Sequence, residues 1–117
     1  RGCLCVCPRC FGDPMPFPIV PTGPHSTRQV LADSPELMVV AFRFAAKGAE
    51  GALHSHPQVQ STYCVEGRFR FSVDGRAVEV GPGDAFIVPS GQVHGCVCLE
   101  PGVLIDSFTP RRDDFLE

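Results

Sequence analysis

Residues 68–75 read RFRFSVDG. Phe69, Phe71 and Val73 alternate with Arg68, Arg70 and Ser72, so a strand here turns one apolar and one polar face. Asp74-Gly75 follows at once, the pair a two-residue hairpin turn prefers because both residues tolerate positive φ. The same pattern recurs outward from this stretch. Strand candidates fall at Gln29–Ala32, Leu37–Ala45, Ser61–Glu66, Arg68–Val73, Ala77–Val80, Ala85–Val88, Val93–Leu99 and Val103–Phe108. Gly81-Pro82-Gly83 and Pro89-Ser90-Gly91 close two of them. Met15 to Pro24 is proline-rich and extended, a poor candidate for helix. No segment sustains a helical period. Short strands with regular turn signals predict an all-β fold, a small barrel or sandwich.

The 117 residues are one domain's worth of chain, long enough to bury a single core. At 44% apolar the composition is that of a globular protein. No apolar run approaches the ~20 residues of a membrane span. A net charge of −3 without a basic stripe argues against nucleic acid as a partner. Any anionic ligand must be drawn in by a local charge.

Seven cysteines are unevenly placed. Cys3, Cys5, Cys7 and Cys10 crowd the first ten residues, whereas Cys64, Cys96 and Cys98 lie in strand candidates among apolar neighbours. An odd total without regular spacing is a poor disulfide framework, and the later three read as small buried hydrophobes. RGCLCVCPRC could form a thiolate metal clip, but only its end fits the usual spacing of zinc cysteines. It is too short and thiol-rich for a signal peptide. Residues 1–14 are expected to be an extension outside the fold, with the domain spanning 15–117 and a cytoplasmic location.

The chemistry-bearing stretch is GALHSHPQVQSTYCVEG, residues 51–67. His54 and His56 lie two apart, so on a strand they share a face, ~6–7 Å apart along the chain. Neutral imidazoles so placed can grip one ion. Gln60 could add an amide oxygen; Gln58 is its rival, though Pro57 disturbs the chain there. His94 opens another strand after the tight turn of PSGQVHG. Alone, an H-x-H pair is often surface decoration, and His25 in the loop PTGPHS reads as a solvated histidine.

The joint arrangement resembles the cupin superfamily. Its first motif, H-x-H-x3-4-E-x6-G, is matched by His54, His56, Gln60 and Gly67, with glutamine in place of glutamate. Its second, G-x5-P-x-G-x2-H-x3-N, is matched by Gly83, Pro89, Gly91 and His94, with Cys98 in place of asparagine. The resemblance implies a cupin double-stranded β-helix, or jelly-roll barrel, holding one divalent transition ion on His54, His56, Gln60 and His94. Nickel, zinc, iron, manganese and copper all suit such ligands. Glutamine leaves the ion its full double charge, which favours a strong Lewis acid and an anionic ligand over oxygen activation.

The tail GVLIDSFTPRRDDFLE adds a second site element. On a strand, Leu104, Asp106 and Phe108 share a face, and a partly buried carboxylate tends toward a raised pKa. Arg111 and Arg112 follow; arginine can grip a substrate carboxylate with two hydrogen bonds. A structural Asp106–Arg112 ion pair is the plainer alternative. With HSHP-x-x-Q and VPSGQVHG, this tail is similar to the KdgF-type pectin-degradation cupins, which linearise unsaturated uronates. The resemblance spans about residues 28–117. It implies Asp106 as proton carrier, Arg112 as carboxylate holder and Phe108 as pocket wall. Gln58 and Val59 stand where that group often carries H-E, and Cys64, Cys96 and Cys98 replace commoner aliphatics. Cys96, two after His94, falls on the face toward the ion.

Other cupin enzymes, dioxygenases or cyclases, share such cages, and a sugar-sensing module is the non-catalytic alternative. The expected partner is a small anionic sugar, with no nucleic acid and no membrane. A homodimer is expected, with Met15–Val20 able to add to a neighbour's sheet.

Overall fold

The computed structural model describes residues 17–117. Cys3, Cys5, Cys7 and Cys10, and with them the expected 1–14 extension, lie outside the described residues. The strands are β1 (Val20–Gly23), β2 (Ser26–Asp33), β3 (Met38–Phe44), β4 (Glu50–His54), β5 (Val59–Val73), β6 (Arg76–Val80), β7 (Ala85–Val88) and β8 (His94–Thr109). A short 3-10 helix, Asp113–Leu116, ends the fold. All pairings are antiparallel, in the order β1-β2-β3-β8-β5-β6, with β4 on β8 and β7 on β5.

The long strands β5 and β8 organise the molecule. Their pairing runs from Val59↔Thr109 to Val73↔His94, with register shifts between Cys64 and Phe69. On one side of those shifts lie β3 and β7, on the other β4 and β6. The sheet therefore bends into two layers. Phe44, Cys64 and Leu104 from one layer share a core with Phe69, Phe71, Val80, Cys96 and Cys98 from the other. A second cluster, Val30, Met38, Val40 and Phe108, closes the opposite end. This is the expected all-β architecture, an antiparallel sandwich with its inner faces packed together.

The alternation in RFRFSV is realised: Phe69 and Phe71 are buried and Arg70 exposed. Asp74 and Gly75 both have positive φ, 51° and 80°, as their hairpin turn demands. Cys64, Cys96 and Cys98 are buried free thiols.

Four boundaries differ from the sequence expectation. Ser61–Glu66 and Arg68–Val73 are one strand, as are the segments expected at Val93–Leu99 and Val103–Phe108. Glycine here marks a close crossing of two backbones, not a break. Gly67 has φ +87°, and a Cβ on it would meet the Glu100 and Pro101 carbonyl oxygens at 2.6 Å. A Cβ on Gly102 would collide with the Glu66 carbonyl. Gly102→Ala is therefore expected to destabilise the fold by roughly 2–4 kcal/mol, read from urea unfolding, because only backbone could yield. β4 went unanticipated because GALH carries no alternation; pairing with β8 makes it a strand. So did β1, where Val20 and Pro21 pair with Arg28 and Thr27. Val20 thus bonds within its own chain, on one edge of β1. No helix among the described residues is long and apolar enough to cross a membrane.

Candidate metal centre and its cavity

Three histidines reach one point from three places. His54 ends β4, His56 lies two residues on, and His94 opens β8 opposite His54. Gly91, at φ +78°, turns the chain before His94 and donates its N–H to the His56 carbonyl at 2.9 Å, tying the two histidine loops together. One ring nitrogen from each histidine lies within 4.8 Å of those of the other two.

The hydrogen bonds define which nitrogen each ring presents. Each Nδ1 faces a backbone carbonyl: Ala52 at 2.8 Å for His54, Gln58 at 3.1 Å for His56, and Gln92 at 2.9 Å for His94. Carbonyls only accept, so Nδ1 carries the proton and Nε2 presents a lone pair. Gln60, in β5, is equally constrained. Its amide nitrogen donates to Thr62 Oγ1 at 2.9 Å and to Asp106 Oδ2 at 3.2 Å, engaging both hydrogens. Its Oε1 therefore faces the histidines, 3.0 Å from His56 Nε2 and 3.1 Å from His94 Nε2.

Lone pairs gathered this closely need a positive charge between them. Protonated imidazoles are the poorer answer, since burial lowers the pKa of both His56 and His94, with His54 nearby adding to the effect. A bound cation is the better one, and neutral imidazoles with an amide oxygen suit a divalent transition ion. The residues present fit that group. Gln58 does not join the set: its amide nitrogen donates to the Arg111 carbonyl at 3.0 Å, and its Oε1, buried without a hydrogen-bond partner among the described residues, makes no hydrogen bond to any of the three histidine rings. His25 is exposed, as expected of a loop histidine.

Beside this cage lies a cavity of about 230 Å³, into which Asp106, Phe108 and Arg112 all project. Asp106 is buried, and its Oδ1 has no hydrogen-bond partner among the described residues. Burial pushes its carboxyl up to about 7, against the opposing pull of the Thr62 hydroxyl and the Arg112 charge. The Asp106–Arg112 ion pair does not form. Arg112 instead sets Nε and Nη2 on Asp114 at 2.9 and 2.8 Å, a partner within its own turn that needs no burial of a second charge. Arg111 pairs with Asp33 at 2.7 Å and anchors the tail to β2, so of the two arginines only Arg112 faces the cavity.

Cys96 lines the cavity, but it stands outside the histidine set, its sulfur packed on Gly51. Burial raises its thiol to about 12, so in the metal-free fold the sulfur keeps its proton. Sequence reasoning missed Thr62, Arg28 and Phe115. Thr62 was within reach of it: two residues after Gln60 on a strand, it shares the ligand's face.

Three histidines and an amide inside a bent antiparallel double sheet are the marks of a cupin metal site. The Cupin domain family matches residues 41–108, and the chain belongs to that family. Among curated proteins, it is 41% identical over 96 residues to the pectin degradation protein KdgF of Dickeya dadantii (strain 3937), covering 80% of this chain and 86% of that one. Among solved structures, KdgF from Halomonas sp. is 39% identical with a TM-score of 0.79, over 85% of this chain and 91% of that one. An RmlC-like cupin from Shewanella frigidimarina NCIMB 400 is 44% identical, also at TM-score 0.79, over 85% and 88% of the two chains.

Proposed function

We propose that the protein is a metal-dependent enzyme that converts 4,5-unsaturated uronate monosaccharides to linear keto uronates. The observation that carries this reading is the unpartnered Oδ1 of Asp106 in the cavity wall, with the same carboxylate bonded to the metal-facing Gln60. Similarity to KdgF proteins supports the substrate class.

A divalent ion on His54, His56, Gln60 and His94 would supply Lewis acidity toward substrate oxygens when bound. Asp106 moves the proton. The C1 hydroxyl loses a proton, the bond from C1 to the ring oxygen breaks to leave an aldehyde, and the freed oxygen becomes the enol at C5. A proton delivered to C4 then turns the enol into a ketone. Formula is conserved, so no co-reactant is needed. Arg112 presents to the substrate carboxylate the N–H edge that Asp114 leaves open. Phe108, fully buried beside His56 at a ring separation of 5.4 Å, walls the pocket against water.

The test follows the ultraviolet absorbance of the conjugated C4–C5 double bond in unsaturated galacturonate and mannuronate. The expected outcome is loss faster than the spontaneous rate, abolished by chelation and restored by adding the ion back. No acceleration by protein of confirmed metal content overturns the reading and directs the search to oxygen-dependent substrates.

A further inference from the structure

Arg28 breaks the pattern of its strand. In β2, Ser26 and Val30 are buried inward residues, and Arg28 lies between them in the same register, paired across the sheet with Phe42. Alternation thus sends an arginine into the barrel, where it lines the same cavity as Asp106 and Arg112. A charged side chain in a core-facing position is the kind of local inconsistency that marks a functional site.

What holds Arg28 there leaves its donors open. Its guanidinium carbon sits 4.4 Å from the centroid of the Phe115 ring, and that of Arg112 sits 4.1 Å from the same centroid. Phe115 is itself braced edge-on by Phe42 and Phe108, at 6.2 and 5.7 Å. Contact with a ring face positions a guanidinium without consuming an N–H. Among the described residues, the ion pairs involve Arg68, Arg70, Arg111 and Arg112, and no carboxylate pairs with Arg28. Arg112 is hydrogen-bonded to Asp114; Arg28 makes no ion pair among the described residues and meets the Asp114 charge only at longer range. In a protein of net charge −3, this is a local positive charge at the cavity.

We propose that Arg28 binds the carboxylate of the sugar substrate, jointly with Arg112, and sets the preference for an acid over a neutral sugar. The proposal rests on the uronate reading of the cavity. It predicts a carboxylate seated beside Phe115, with Arg28 supplying a guanidinium that no ion pair engages among the described residues and Arg112 its one open edge.

The test uses the metal-loaded protein and two probes without the C4–C5 double bond, galacturonate and its methyl ester, with amide chemical-shift titrations reading affinity. Wild type is expected to favour the acid. Arg28→Gln should weaken acid binding ~10- to 100-fold while leaving the ester unchanged, the loss expected for a charge-assisted pair. Arg28→Lys, which keeps charge and ring contact but not the fork, should recover part of it. A purely structural role would weaken acid and ester alike, and that result, or no effect on either, overturns the proposal. The ultraviolet assay separates it from the enzymatic reading. Acid preference lost in Arg28→Gln without any wild-type turnover sustains the Arg28 site and removes the linearising enzyme. Wild-type turnover with an unchanged KM in Arg28→Gln does the reverse.

Discussion

Asp106→Asn is expected to lower turnover of unsaturated uronates by about two to four powers of ten, the usual contribution of a positioned proton carrier. The substitution preserves shape, and the asparagine carbonyl can still accept from the Gln60 amide, so metal content should stay at the wild-type level. Loss of metal together with activity would show that Asp106 only holds Gln60 in place; unchanged turnover would remove it from the mechanism altogether.

The same variant has an opposite effect on stability. The Asp106 carboxyl of the metal-free fold is held at about 7, above the ordinary carboxylate value. Between ~4 and ~7 the folded chain therefore keeps a proton that the unfolded chain has released, and stability falls as pH rises through that window. Above it the penalty is fully present. Chelator-stripped Asp106→Asn should match wild type near pH 4 and become the more stable protein as pH rises, the gap widening by about 1.4 kcal/mol per pH unit. Parallel unfolding midpoints for the two proteins across this range would refute the origin assigned to the shift. A carboxylate kept in a place that costs stability is what a catalytic role predicts.

His94→Ala carries the second large effect. Removing one of three converging imidazoles leaves Gln60 Oε1 with a single histidine nitrogen in contact, that of His56 at 3.0 Å. Metal affinity should fall by more than ~100-fold, beyond the loss typical of an outer partner, and activity should fall with it. Elemental analysis after gel filtration reads the metal directly. Cys96→Ser is the paired control. Its sulfur lies outside the converging set, so its metal content should match wild type. Metal lost from Cys96→Ser and retained in His94→Ala would invert the assignment of the ligands.

Much of this site was legible because its signals are local. A period of two in RFRFSV names the inward residues, and Asp74-Gly75 names its turn, whatever the rest of the chain does. The spacing of His54, His56 and His94 to nearby glycines and proline carries the ligand set through its resemblance to the cupin motifs, and Gly91 holds the turn that ties His94 to His56. Gly67 was legible as a motif residue but not as a crossing point. Its role follows from the Glu100 and Pro101 carbonyls that press on it, more than thirty residues away in the chain.

The sequence by itself determined the all-β class, the inward faces of its strands, and His54, His56, Gln60 and His94 as candidate ligands. Only the tertiary structure decided between Gln60 and Gln58, by setting Gln60 Oε1 against the His56 and His94 nitrogens while its amide holds Thr62 and Asp106. It alone paired Arg112 with Asp114 and brought Arg28 to the ring of Phe115. Strand period and turn chemistry are encoded between neighbours. The partner of a buried donor depends instead on which strands lie side by side, and pairing β5 with β8 sets Gln60 beside a carboxylate 46 positions away.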